Sequence, residues 1–223
     1  MIFILTGAGL SAESGLGTFR DEGGLWTKYD LSKVATPEGY KADPSTVLDF
    51  YNARRANAAE AEPNAAHRAL ARLQGARDTF LVTQNVDTLL DRAGAAQVLH
   101  MHGRLDRALC NTCGARWDAP DVMDPFDHCA ECGAQAVRPD VVWFGEMPHG
   151  LEAIEEKLSQ AALFVAIGTS GTVYPAAGFV EMADSLNIPT LELNLEPSGG
   201  TFDEGRYGPA TQVVPDWVEE ILS

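Results

Sequence analysis

The sequence predicts an α/β fold: a Rossmann-like parallel sheet with helices on both faces, plus a small zinc-ribbon domain. Three observations predict it. Short apolar runs that end in small or polar residues alternate with helical stretches, the pattern of a parallel sheet covered on both sides. The first run closes in a glycine-rich turn, Gly7-Ala8-Gly9. Two Cys-x-x-Cys pairs lie in one stretch that breaks the alternation.

In chain order, strands are expected at residues 2–5, 79–83, 163–167 and 189–194, with Val98-Leu99 as a further short one. Helices are expected at 44–59, 64–73, 151–160 and 175–186. Residues 1–102 and 141–223 then form a discontinuous sheet domain, and 103–140, rich in turn formers, an inserted module. Residues 44–73 read as the helical part of the smaller domain. Segment 15–36 is too long for an ordinary connection and reads as a loop over a site. Open α/β sheets bind ligands beyond the carboxyl ends of their strands, which is where Gly, Ser, Asn and Asp collect here.

A chain of 223 residues accommodates one large domain and one small. With 45% hydrophobic and 22% charged residues it has globular composition. Lys+Arg 16 against Asp+Glu 32 leaves a net charge of -16, which repels nucleic acid and anionic membranes. The longest apolar run, Ala161 to Ile167, is far short of a membrane span. Met1 to Leu5 lacks the basic start of a secretory signal, so a cytoplasmic protein is expected, with a monomer favoured. In that reducing compartment, thiols bind metals more often than they form structural disulfides.

Cys110-x-x-Cys113 and Cys129-x-x-Cys132, 15 residues apart, have the spacing of a tetrathiolate zinc site. Four thiolates fill a tetrahedral shell, so one structural Zn2+ is expected; His128, off the ligand spacing, is expected at the surface. Gly7, Gly9 and Gly15 resemble a dinucleotide turn in which backbone N–H groups approach a pyrophosphate, although Ala12 takes the third glycine position of that motif. Gln84-Asn85-x-Asp87, Gly168-Thr169-Ser170 and Asn194 can hydrogen-bond ribose and phosphate; Asp87 and Ser170 fit helix N-caps equally well. One of His100 and His102 is a candidate base at neutral pH, and spacing does not choose between them. Tyr51 and Arg54 share a helix face and together suit a carboxylate, though spacing alone favours a solvated surface.

Thr6-Gly-Ala-Gly-Leu-Ser-Ala-Glu-Ser-Gly15, Thr18-Phe-Arg20, Gln84-Asn-Val-Asp87, His100-Met-His-Gly103, the cysteine pairs, Val141-Val-Trp-Phe-Gly-Glu146 and Gly168-Thr-Ser170 occur in the order found in sirtuins. Over nearly its whole length the chain resembles that family. Residues 35–39 and 50–55 are closest to its bacterial deacylase and sirtuin-5-like branch. The resemblance implies NAD-dependent removal of acetyl, succinyl and malonyl groups from protein lysines, giving nicotinamide and an O-acyl-ADP-ribose.

It also implies roles. His102 becomes the general base, with Asn85 positioning ribose or water, and His100 becomes structural. NAD is implied to lie against Gly7, Ala8, Gly9, Ser11, Ala12, Glu13, Gly15, Thr18, Phe19, Arg20 and Trp26, then Gln84, Asn85, Val86, Asp87 and His102. Gly168, Thr169 and Ser170 would hold phosphate and ribose, and Asn194, Leu195, Glu196 and Ala210 the adenosine end. Val142, Trp143, Phe144, Gly145 and Glu146 are implied to pair with substrate as an added strand. Tyr51 and Arg54 would grip the acyl carboxylate, and Ala35 would widen the pocket. Gly17-Thr18 departs from the Pro-Asp common in the family. An ADP-ribosyltransferase using the same cleft, or a non-catalytic NAD sensor, would keep the cofactor but change the product.

Overall fold

The computed structural model describes residues 1–17, 29–171 and 174–223. Thr18, Phe19, Arg20 and Trp26 therefore lie outside the described residues. The main sheet contains β1 (Ile2–Thr6), β2 (Thr79–Thr83), β3 (Val98–His100), β7 (Leu163–Ile167), β8 (Thr190–Asn194) and β9 (Glu204–Tyr207). Its order is β3-β2-β1-β7-β8-β9, and every pairing is parallel. The chain builds outward in one direction from β1 and in the other from β7, so the reversal that opens a ligand crevice in such sheets falls between these two strands.

Strand periodicity explains the continuous apolar runs. Ile4, Val165 and Ile167 face one layer with Leu70, Leu81 and Trp217; Phe3, Leu5, Phe164 and Ala166 face the other with Ile154, Leu158 and Phe179. The first layer is covered by α4 (Ala65–Ala76) and α8 (Ala210–Leu222), the second by α6 (Leu151–Ser159) and α7 (Gly178–Ser185). No helix among the described residues is long and apolar enough to cross a membrane.

The smaller sheet is antiparallel, in order β5-β4-β6, with β4 (Gly103–Cys110), β5 (Arg116–Asp118) and β6 (Val137–Val141). Against it packs α3 (Pro44–Glu60), which starts at Asp43, whose side chain accepts the Thr46 N–H. Leu48 of α3 joins Ala108, Met123 and Val137, and buried Arg55 donates through Nε to the Leu105 carbonyl at 2.7 Å. By contrast α4, begun by a reciprocal cap between Asn64 and His67, packs under the main sheet. The 44–73 segment thus divides between the two sheets.

Some expectations change. Helix α7 starts at Gly178 rather than residue 175, because 174–177 form turns, so Ser170 does not cap it. Within 15–36, Asp30 caps a short helix, α1 (Leu31–Val34), which leads to α2 (Pro37–Ala42). Strand β9 and helix α8 were not expected. Pro215 interrupts the α8 pattern by removing one helix N–H. Val214, Trp217 and Val218 nevertheless bury a helix-spaced stripe that outweighs this loss.

Candidate functional site

A cavity of about 1000 Å³ opens at the carboxyl ends of β1, β2, β7 and β8. That is the upper range of ligand pockets, enough for a dinucleotide and an inserted side chain. Gly7, Ala8, Gly9, Ser11, Ala12, Glu13 and Gly15 line it from the first turn, and Gln84, Asn85, Val86, Asp87 and His102 from the ends of β2 and β3. Gly168, Thr169, Ser170, Asn194, Leu195, Glu196 and Ala210 line one end; Ala35, Tyr51, Arg54, Val142, Trp143, Phe144, Gly145 and Glu146 line the other. Leu16, Asn57, Leu105, Pro148 and Tyr174 also line it and were not foreseen.

The first turn requires correction. The Gly7 and Gly9 N–H groups are already used, donating to the carbonyls of Ile167 and Gly168 at 2.9 Å each. A Cβ on Gly7 would stand 2.7 Å from the Gly168 carbonyl oxygen, and one on Gly9 2.7 Å from the Gly168 Cα. These glycines are needed because two strand ends meet backbone to backbone at the crevice. They do not present free donors to a phosphate.

Ser11 is the hub of the cavity floor. Because Asn64 N–H donates to His67 Nδ1 (3.2 Å), His67 Nε2 carries the proton and donates to Ser11 Oγ at 3.3 Å. Asn85 Nδ2 also donates to Ser11 Oγ (3.1 Å) and to the Gly7 carbonyl (3.0 Å). The Ser11 hydroxyl therefore donates to Asp87 Oδ2 at 3.1 Å, while Leu89 N–H donates to Asp87 Oδ1 at 3.0 Å. The N-cap of α5 (Leu89–Arg92) is Thr88, not Asp87; Asp87 stands one residue before it and still accepts the first N–H of the helix. Burial raises its pKa, against the pull of the Leu89 N–H, Ser11, His100 and Arg54. Asn85 lines the cavity, and its Oδ1 has no donor among the described residues.

His67 is fully buried, and burial, aided by Arg68, lowers its pKa to about 4. A depressed folded pKa gives stability that is present above about 6.5 and lost as pH falls toward 4, because only the unfolded chain protonates in that window. That loss is roughly 3 kcal/mol. Urea unfolding from pH 7 to pH 4 should show it in the wild type and much less of it in His67→Gln; parallel curves would remove His67 as the cause.

The two histidines separate clearly. His100 is buried, with Nδ1 3.3 Å from the Asn85 carbonyl and Nε2 2.9 Å from Asp91 Oδ2, so both ring nitrogens are engaged. His102 Nδ1 faces the Gln84 carbonyl at 3.1 Å. A carbonyl only accepts, so Nδ1 carries the proton and Nε2 keeps its lone pair, without a partner among the described residues. Burial lowers the His102 pKa against the Gln84 bond, with His149 adding to the lowering.

At the other end Tyr51 is only 1% exposed, so the solvated-face reading of its helix position fails. Trp143 Nε1 donates to its hydroxyl at 2.9 Å. Burial raises the Tyr51 pKa, opposed by Arg54 and Trp143. Arg54 is half-buried and is the sole Lys or Arg among the described lining residues. Residues 142–146 form no strand: Val142 N–H donates to the His102 carbonyl, Phe144 N–H to the Ala35 carbonyl, and Trp143 N–H to Glu146 Oε2. Most of their donors are therefore spent inside the molecule, the Glu146 N–H on the Trp143 carbonyl included, and the Gly145 N–H has no partner among the described residues.

Two expected contact residues are also tethered. Glu13 accepts the Thr211 N–H and hydroxyl at the start of α8. Asn194 Nδ2 donates to the Thr169 carbonyl and to buried Glu192.

Outside the cavity, the Sγ atoms of Cys110, Cys113, Cys129 and Cys132 all lie within 4.8 Å of one another, with Cys110–Cys132 and Cys113–Cys129 at 3.7 Å. Four sulfurs about 2.3 Å from a tetrahedral centre stand about 3.8 Å apart, so the set fits a structural zinc. Gly114 and Gly133 turn the two knuckles at φ 75° and 72°. His128 is exposed, as expected.

A parallel sheet with its crevice at the strand reversal and an inserted tetracysteine ribbon defines a dinucleotide-site α/β protein. The Sir2 family profile matches residues 7–175, and the chain belongs to that family. It is 57% identical to an NAD-dependent protein deacylase of Caulobacter vibrioides, over 100% of this chain and 97% of that protein. It is 54% identical to the NAD-dependent protein deacylase of Escherichia coli K12, over 99% and 82%. Among solved structures, a Sir2 homologue in complex with NAD has a TM-score of 0.91 at 35% identity, covering 100% of this chain and 90% of that one. A mutant Sir2 homologue bound to ADP-ribose has a TM-score of 0.92 at 34% identity, covering 99% and 91%.

Proposed function

We propose that the protein is an NAD-dependent lysine deacylase that accepts acetyl and, preferentially, carboxylate-ended acyl groups such as succinyl and malonyl. Relatives matched over 97% and 82% of their own length carry the name NAD-dependent protein deacylase. One observation carries the substrate reading: a single cavity is lined both by His102, with its Nε2 lone pair, and by the Tyr51–Arg54 pair. Bound NAD supplies the sugar that accepts the acyl group as nicotinamide leaves.

The residues of this chain orient, shield and move a proton. His102 Nε2 takes a proton from a sugar hydroxyl, which becomes nucleophilic enough to receive the acyl group. Asn85 Oδ1 accepts a hydrogen bond that holds the sugar in place. Trp143, Val86 and Leu105 wall the channel and exclude water. Arg54 and Tyr51 hold the acyl carboxylate, and the small Ala35 leaves room for it.

The test is nicotinamide release with matched acetyl-lysine and succinyl-lysine peptides, with the products identified by mass. The Tyr51→Phe/Arg54→Met variant should lower kcat/KM on the succinyl peptide by about 10²-fold and far less on the acetyl peptide, because only the former brings a buried carboxylate that loses its partners. Equal losses would refute the pair's role. ADP-ribosylated protein or free ADP-ribose in place of O-acyl-ADP-ribose would favour a transferase or hydrolase.

A further inference from the structure

The buried hydroxyl of Tyr51 accepts from an indole and stands beside a guanidinium. Trp143 Nε1, which can only donate, reaches it at 2.9 Å, and the Arg54 guanidinium, also donor-only, lies against the same side chain, its carbon 5.6 Å from the Tyr51 ring centroid. A phenol has two lone pairs and one proton. The indole claims one lone pair, and the phenolic proton has no acceptor among the described residues. A buried polar group in that condition is costly unless a ligand completes it.

Trp143 is itself fixed. The Arg138 guanidinium carbon sits 3.8 Å from its ring centroid. Glu146 Oε2 accepts both from Arg138 Nη2 and from the Trp143 N–H, each at 2.8 Å. Arg138 is 4% exposed and its Nε has no partner among the described residues, so its stacking on the indole is a main contact of that face. Trp143 is thus clamped between the insert, through β6, and α3.

We propose that Trp143 is a positioning residue for acyl selectivity: its indole N–H fills one lone pair of Tyr51 and so commits the phenolic proton to an anionic acyl end. This rests on the carboxylate-binding reading of Tyr51 and Arg54. An indole donor makes the phenol an obligate donor, which suits a carboxylate and offers nothing to the methyl of an acetyl group.

The test compares Trp143→Phe, Tyr51→Phe and the double variant on succinyl- and acetyl-lysine peptides. Phenylalanine preserves an aromatic face for Arg138 and removes the N–H. The succinyl-to-acetyl ratio of kcat/KM should fall about tenfold in Trp143→Phe, mainly through KM for the succinyl peptide. In the Tyr51→Phe background, Trp143→Phe should add little to the change in that ratio, because it acts through a hydroxyl already gone. An unchanged ratio, equal losses on both peptides, or a full further fall in the double variant would overturn the inference. Should Tyr51→Phe alone leave the ratio unchanged, the carboxylate reading fails and this one with it. If Trp143→Phe does not fold, benzothienylalanine at position 143 retains the ring shape without the N–H, with the same expected outcomes.

Discussion

Replacing His102 with alanine is expected to lower kcat for deacylation by about 10²- to 10⁴-fold, the span of a general base. Among the described residues the side chain makes one hydrogen bond, to the Gln84 carbonyl, and it lines the cavity, so the sheet beneath it should remain intact. Circular dichroism and a thermal melt close to wild type would separate lost chemistry from lost structure. The wild-type pH profile should agree. Burial holds the His102 pKa below its ordinary 6.5, so Nε2 is available at neutral pH, and the acid limb of kcat/KM should fall below 6.5. His100→Ala is expected to behave differently: its ring ties the Asn85 carbonyl to Asp91, and its loss should lower stability together with activity. Near-normal turnover in His102→Ala would remove it as the base.

The strands were legible because each buries both faces. Residues 79–83 and 163–167 are continuous apolar runs, and the structure gives them as strands with those bounds. The cysteine spacing was legible for a similar reason: a tetrahedral site constrains sequence distance locally. What could not be read depends on long-range contacts. Gly7 and Gly9 advertise a phosphate turn, yet their conformations answer to Gly168, which lies 161 and 159 positions away. His67 lies in the helix expected at 64–73 with nothing local to single it out, and only the fold brings it under Ser11. Tyr51 and Arg54 share a face by spacing, but whether that face meets water depends on Trp143 of the far loop. Helix α8 was hidden by Pro215, a local signal outweighed by burial of Trp217.

Removal of the zinc should dismantle the insert and silence the enzyme without any metal chemistry being lost. The insert's own core is small: its buried cluster with α3 comprises Leu48, Ala108, Met123, Val137 and two of the cysteines themselves. A core of that size does not overcome chain entropy unaided. Metal affinity is then folding energy, with apparent values of about 10–16 kcal/mol for small zinc modules. The consequence reaches the cavity through the chain. Strand β4 begins at Gly103, directly after His102, and β6 ends at Val141, directly before the stretch that carries Trp143. The Val142 N–H bonds to the His102 carbonyl, so disorder in either strand loosens the base and the acyl end together. Chelation should therefore release about one zinc per chain, lower the melting temperature and abolish turnover on acetyl and succinyl peptides alike. The decisive comparison is reconstitution with cobalt or cadmium, both of which accept four thiolates. Comparable kcat with all three metals is expected from a closed shell. A kcat that follows the Lewis acidity of the metal would instead place it in the reaction.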